Sequence, residues 1–177
     1  MRQRMALLEP MWTPWSIGDQ LPITSLQTVA RLREILLAWK PTKYGSGQRC
    51  RGVAADCLGF VCGALDEADG RPRAQDPRIP PDTALHDPER ARAAIRDLLA
   101  IYAPVFAVEG PLQPFDIILA GPIGGGPGHA LLVGTERNTT WSCSQDLGVH
   151  QGGWALDPGC GSFHAAYRLA DRERWTR

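Results

Sequence analysis

The sequence predicts an α+β domain with a small antiparallel sheet, and three observations point there. Helical spacing marks the first half: Val29, Leu32, Ile35, Leu36 and Trp39 form one stripe, and Leu58, Val61, Cys62 and Leu65 form a second. The second half holds short apolar runs bounded by turn residues instead, at residues 115–120, 129–134, 139–143 and 165–169. Helices followed by strands, rather than alternating with them, favour segregated layers and antiparallel pairing. The third observation is composition. With 177 residues, 44% of them hydrophobic and 21% charged, the chain can bury one ordinary core.

In order along the chain, residues 1–23 make an N-terminal arm without periodicity. It carries Pro10, Pro14 and Pro22 and the indoles of Trp12 and Trp15. Such an arm either packs back on its own domain or docks on another protein, as aromatic side chains do at interfaces. The domain proper is expected over 24–177. Its first helix is capped by Thr24 or Ser25 and stopped by Pro41. A glycine-containing loop then leads to the second helix. Residues 70–88, with Pro72, Pro77, Pro80, Pro81 and Pro88, read as a loop. Asp87-Pro88 opens a further helix whose apolar face is Ala91, Ala94, Ile95, Leu98, Leu99 and Tyr102.

Charge and cysteine usage narrow the function. The formal net charge is zero, so no electrostatic argument favours a nucleic-acid or anionic-membrane partner. The five cysteines include no Cys-x-x-Cys pair, which argues against a zinc ribbon, and their odd number argues against a disulfide scaffold. No metal or cofactor is expected. No stretch approaches the roughly 20 apolar residues of a membrane span. Residues 1–10 lack a signal-peptide core, so synthesis in a reducing cytoplasm is expected.

The chemistry concentrates at residues 52–63. Asp56 suits an N-cap, its carboxylate accepting from a free backbone N–H. Cys57 then occupies the first helical turn, where unpaired N–H groups and the helix dipole favour an anion, and the thiolate is the nucleophilic form. The competing reading is a small buried hydrophobe. A cysteine nucleophile needs a base, usually histidine, and a third polar group to orient it. The four histidines are His86, His129, His150 and His164. His129 is favoured because it opens a strand directly after the glycine-rich loop 124–128.

These residues carry a resemblance. Asp56-Cys57-Leu58-Gly59-Phe60-Val61 resembles the nucleophile motif of the NlpC-type cell-wall peptidases, a papain-like family whose usual form is Asp-Cys-Ser-Gly-Phe-Val. Leucine in the serine position resembles the phage and gene-transfer-agent branch. Trp39 and Tyr44 are similar to the family's Trp-x-Gly-Thr-Pro-Tyr segment, with residues 40–43 departing from it. Pro114-Phe115-Asp116-Ile117-Ile118-Leu119 is similar to its Gly-Asp-Leu-Leu-Leu strand, and His129–Gly134 to its His-x-x-Ile-x-x-Gly strand. Ala166-Tyr167-Arg168-Leu169 resembles the closing strand of the phage branch. The matches keep the family's order and span about residues 35–170.

The resemblance implies a papain-like core, with the Cys57 helix packed on a small antiparallel sheet and facing His129. It implies hydrolysis of amide bonds in peptidoglycan stem peptides, with Tyr44 and Asp56 at the substrate. The third catalytic position departs from the family's usual histidine and falls on Ser142, which is shorter and uncharged. Gln145 or His150 would fill it only with a different gap. Three readings follow. The first is a cysteine peptidase of a phage or gene-transfer-agent tail, docked on hub or baseplate proteins and opening the wall at injection. The second is a structural tail-tip subunit of the same fold with weak or no catalysis. The third is an acyl- or amide-transfer enzyme on the same core.

Overall fold

The computed structural model describes residues 26–70, 105–107, 112–121, 129–153 and 162–169. The arm at 1–23, the caps at Thr24 and Ser25, the loop continuing through 71–88, the helix expected from Asp87 and the glycine-rich loop 124–128 lie outside them.

Helix α1 spans Leu26–Trp39 and buries Thr28, Leu32, Ile35, Leu36 and Trp39, four of them from the expected stripe. Helix α2 spans Cys57–Asp69. Its first nine residues, Cys57 to Leu65, are all buried, so it is a central element rather than a half-exposed one. Burying side chains such as Leu58, Phe60 and Leu65 stabilises the fold by roughly 1.5–3 kcal/mol each. The helices meet at Trp39, whose ring lies edge-on to Phe60 with centroids 5.7 Å apart. The approach is close enough that a Cβ at Gly63 would enter the Trp39 ring.

Both ends of α2 are tied off. Gly70 adopts the left-handed conformation (φ 68°) that ends a helix, and its N–H bonds back to Glu67 O. Arg31 reaches across from α1 to donate to Glu67 O and Ala68 O, filling carbonyls that have no partner within the helix. Trp39 Nε1 donates to Glu67 Oε1 at 3.0 Å.

Two sheets complete the described architecture. The smaller has the order β1-β3-β2, from β1 (Lys43–Tyr44), β2 (Arg49–Cys50) and β3 (Ala54–Ala55). Here β1 runs parallel and β2 antiparallel to β3. The larger is antiparallel throughout, in the order β4-β9-β5-β6-β7-β8. Its strands are β4 (Val105–Ala107), β5 (Ile117–Gly121), β6 (His129–Val133), β7 (Thr139–Ser144), β8 (Gly148–Gly153) and β9 (Ser162–Leu169). All four expected strands are present; β1 to β4 and β8 are additional.

Strict alternation sorts the larger sheet into two faces. Ile117, Leu119, Ala130, Leu132, Trp141, Cys143 and Val149 join the core that contains both helices. Ile118, Ala120, Leu131 and Val133 form a second apolar cluster. Phe115, which stands where the resemblance expects glycine, has φ 64°. That conformation disfavours a side chain, yet Phe115 is fully buried and its N–H donates to Val133 O at 2.8 Å. The next residue, Asp116, accepts a two-pronged bond from Arg168 of β9, at 2.9 and 2.7 Å, fastening the β5 entry to the sheet.

Candidate active site

Cys57 is the first residue of α2 and retains 6% of its surface in contact with solvent. The chain enters it through a clamped peptide. Asp56 is extended (φ −93°, ψ −176°) and caps the helix, Oδ1 accepting from Gly59 N at 2.6 Å. Its Oδ2 accepts from Gly47 N at 2.7 Å, and its own N–H donates to Gln48 O at 3.1 Å. One buried carboxylate thus fixes both the helix start and the loop over it. Gly59 has no room for a side chain there, because a Cβ would strike the Gln48 carbonyl oxygen.

The small sheet orders the neighbourhood of this loop. Tyr44 is paired in register with Ala55, two residues before Cys57, and its half-buried ring packs against the main core. Ala55 O accepts from Gly45 N at 2.9 Å. Arg49 forms a buried ion pair with Asp66 one helical face further along, and also donates to Cys62 O at 3.2 Å. The loop carrying Tyr44 is therefore held at several points against α2. Asp56 sits in this arrangement with both oxygens turned to backbone N–H groups, an N-cap and loop clamp.

His129 is the half-buried first residue of β6, against which α2 packs. It pairs in register with Ala120, and the alternation it begins places it in the row of Leu131 and Val133. Ser142 is buried in β7 opposite His150 of β8, with 3.4 Å between its Oγ and His150 Nε2. His150 Nδ1 lies 3.0 Å from Gly148 O. A carbonyl can only accept, so Nδ1 carries a proton, and in the neutral ring Nε2 is then the acceptor facing the serine. Gln145 lies in the exposed β7–β8 turn.

The β7 side chains that face α2 are Trp141 and Cys143. Cys143, passed over in the sequence, donates its thiol to Ala55 O at 3.0 Å. Burial, reinforced by the negative charge of Asp56, pushes this thiol up to about 12 from 9.0, so it stays protonated at neutral pH. The signal that could have found it is the alternation Thr140, Trp141, Ser142, Cys143, which sets large apolar and small polar residues on opposite faces. Among the described residues, no group of three or more His, Cys, Asp or Glu side chains could hold a metal ion. No described helix is long and apolar enough to cross a membrane.

Comparison with known proteins agrees with this architecture. Neither a family model nor a curated protein sequence matches the chain. Solved structures do. The NlpC/p60 domain of the peptidoglycan hydrolase SagA superposes with a TM-score of 0.50 at 13% identity, covering 79% of this chain and 97% of that domain. A protein from Staphylococcus aureus subsp. aureus Mu50, described as similar to lipoprotein and of the NLP/P60 family, gives 0.52 at 15% identity. That match covers 89% of this chain but only 44% of the other. The chain has the α+β, papain-like fold of NlpC/p60 domains.

Proposed function

We propose that this protein is a cysteine peptidase that hydrolyses amide bonds in peptidoglycan stem peptides, with Cys57 as nucleophile. The observation that carries the reading is Cys57 itself: a thiol at the N-terminus of a central helix, directly after a doubly bonded N-cap, in the fold of solved peptidoglycan-hydrolase domains. The helix N-terminus favours the thiolate, which attacks the scissile carbonyl. The Cys57 backbone N–H helps hold the tetrahedral oxyanion. In this reading His129, at the start of β6, takes the thiol proton and returns it to the leaving amine, and water then releases the acyl group. Tyr44 borders the substrate, and Ser142 supports His129 in orientation. Asp56 serves the substrate indirectly, by holding the loop that carries Tyr44.

The Asp-Cys-Leu-Gly run and the Ala-Tyr-Arg strand support a finer reading as a component of a phage or gene-transfer-agent tail. In that reading the arm at 1–23 docks on hub or baseplate proteins, and the protein opens the wall during DNA injection. A second reading, a structural subunit with weak or no catalysis, is favoured by one observation. His129 and Ser142 belong to rows of the sheet other than the one packed on α2, and Ser142 already faces His150.

Digestion of purified sacculi, with mass spectrometry of the released fragments, separates the two readings. Stem-peptide cleavage by the wild type that vanishes in Cys57→Ala, with unchanged circular dichroism, is the expected result. No release by the wild type, even with tail partners supplied, would leave the structural reading.

A further inference from the structure

We infer that Cys143 is a positioning residue for the nucleophile: its thiol, hydrogen-bonded to Ala55 O, locks the peptide leading into Asp56-Cys57 onto the large sheet. The inference rests on the proposed role of Cys57. Ala55 O is a buried carbonyl with two acceptor positions, one taken by Gly45 N–H from the loop beneath Tyr44 and the other by the Cys143 thiol from β7. The two bonds join three separate pieces of chain at one oxygen: the loop, the β3 end and the large sheet. Two residues later the chain becomes the first turn of α2. Any looseness at Ala55 is passed to Asp56, whose carboxylate holds the Gly59 and Gly47 N–H groups. The anion-stabilising end of the helix is therefore only as well ordered as this junction.

The residue type suits the role. Cysteine at this position is small enough to lie flat in the core, where it is 1% exposed, and still brings a donor to a buried carbonyl. An ionised thiol there would repel both the carbonyl and Asp56, and burial prevents ionisation at neutral pH. Val149 across the β7–β8 ladder reinforces the same spot, since its N–H donates to Thr42 O at the entry to β1.

The test is the pH dependence of Cys57 alkylation by iodoacetamide, read peptide by peptide by mass spectrometry on the full-length chain. Cys143→Val keeps volume without the donor, and Cys143→Ser keeps a donor with little change of shape. The expected result is a wild-type Cys57 titration below that of a free thiol. In Cys143→Val the titration moves up, with about threefold slower alkylation at pH 6, and Cys143→Ser returns it toward wild type. If Val lowers the melting temperature but leaves the Cys57 profile where it was, Cys143 is a packing residue and the inference is overturned, while the peptidase reading stands. If wild-type Cys57 itself titrates like a free thiol, the nucleophile reading fails and this inference goes with it. Should Cys143→Val fail to fold, Cys143→Ala is read in its place by the same criteria.

Discussion

Asp56 offers the sharpest separation between a structural and a substrate-binding carboxylate. Replacement by alanine removes the cap on Gly59 N, which typically costs about 1 kcal/mol. It also removes the bond to Gly47 N, a part-buried hydrogen bond to a charged group of about 1.5–3 kcal/mol. Together these predict a loss of about 2–4 kcal/mol, partly offset because a desolvated charge is removed with them. Asparagine keeps one carbonyl oxygen but turns an NH2 toward the second N–H donor, so about 1–3 kcal/mol is expected. Urea unfolding followed by tryptophan fluorescence measures both variants, and Cys57 alkylation reports the order of the first helical turn. Stability and Cys57 reactivity should fall together. A variant with Asn that keeps its stability and alkylation rate but loses affinity for a stem peptide would refute the clamp and make Asp56 a direct substrate ligand.

Three further outcomes follow from the same geometry. Gly59→Ala drives a Cβ into the Gln48 carbonyl, and Gly63→Ala drives one into the Trp39 ring, so each is expected to destabilise by about 1–3 kcal/mol in chemical denaturation despite alanine's better helix propensity. Arg49→Met leaves Asp66 as a buried charge and should cost about 3–5 kcal/mol; adding Asp66→Leu should recover most of it, measured as a double-mutant cycle. The Cys143 thiol is raised from 9.0 to about 12 in the fold, so above pH 9 the unfolded chain binds fewer protons than the folded one. Its contribution is complete below pH 9 and is lost as the pH rises toward 12. Thermal unfolding between pH 8 and 11 should therefore fall more steeply in wild type than in Cys143→Val.

Much of the architecture could be read from residue patterns because it is local. The stripe from Leu32 to Trp39 needs only helical geometry to become a buried face, and Pro41 soon after it marks the helix end. Asp56 before Cys57 specifies a cap whatever the rest of the chain does, and the structure shows that cap. The four strands of the second half were legible from their turn-bounded apolar runs. The short strands β1, β2 and β3 were not, since two-residue strands carry no periodicity and exist only through pairing across the loop.

The sequence by itself determined an α+β chain with a cysteine at a capped helix start and a histidine at the head of a strand. Tertiary structure decided which neighbours these residues receive. A strand's pattern gives two faces but not which one meets the helix, because that depends on register with β6 and β8. Register turns Cys143, not Ser142, toward α2 and seats Ser142 against His150. The same dependence on distant partners explains Phe115, whose left-handed backbone is tolerated because β6 supplies an acceptor for its N–H and the core closes over its ring.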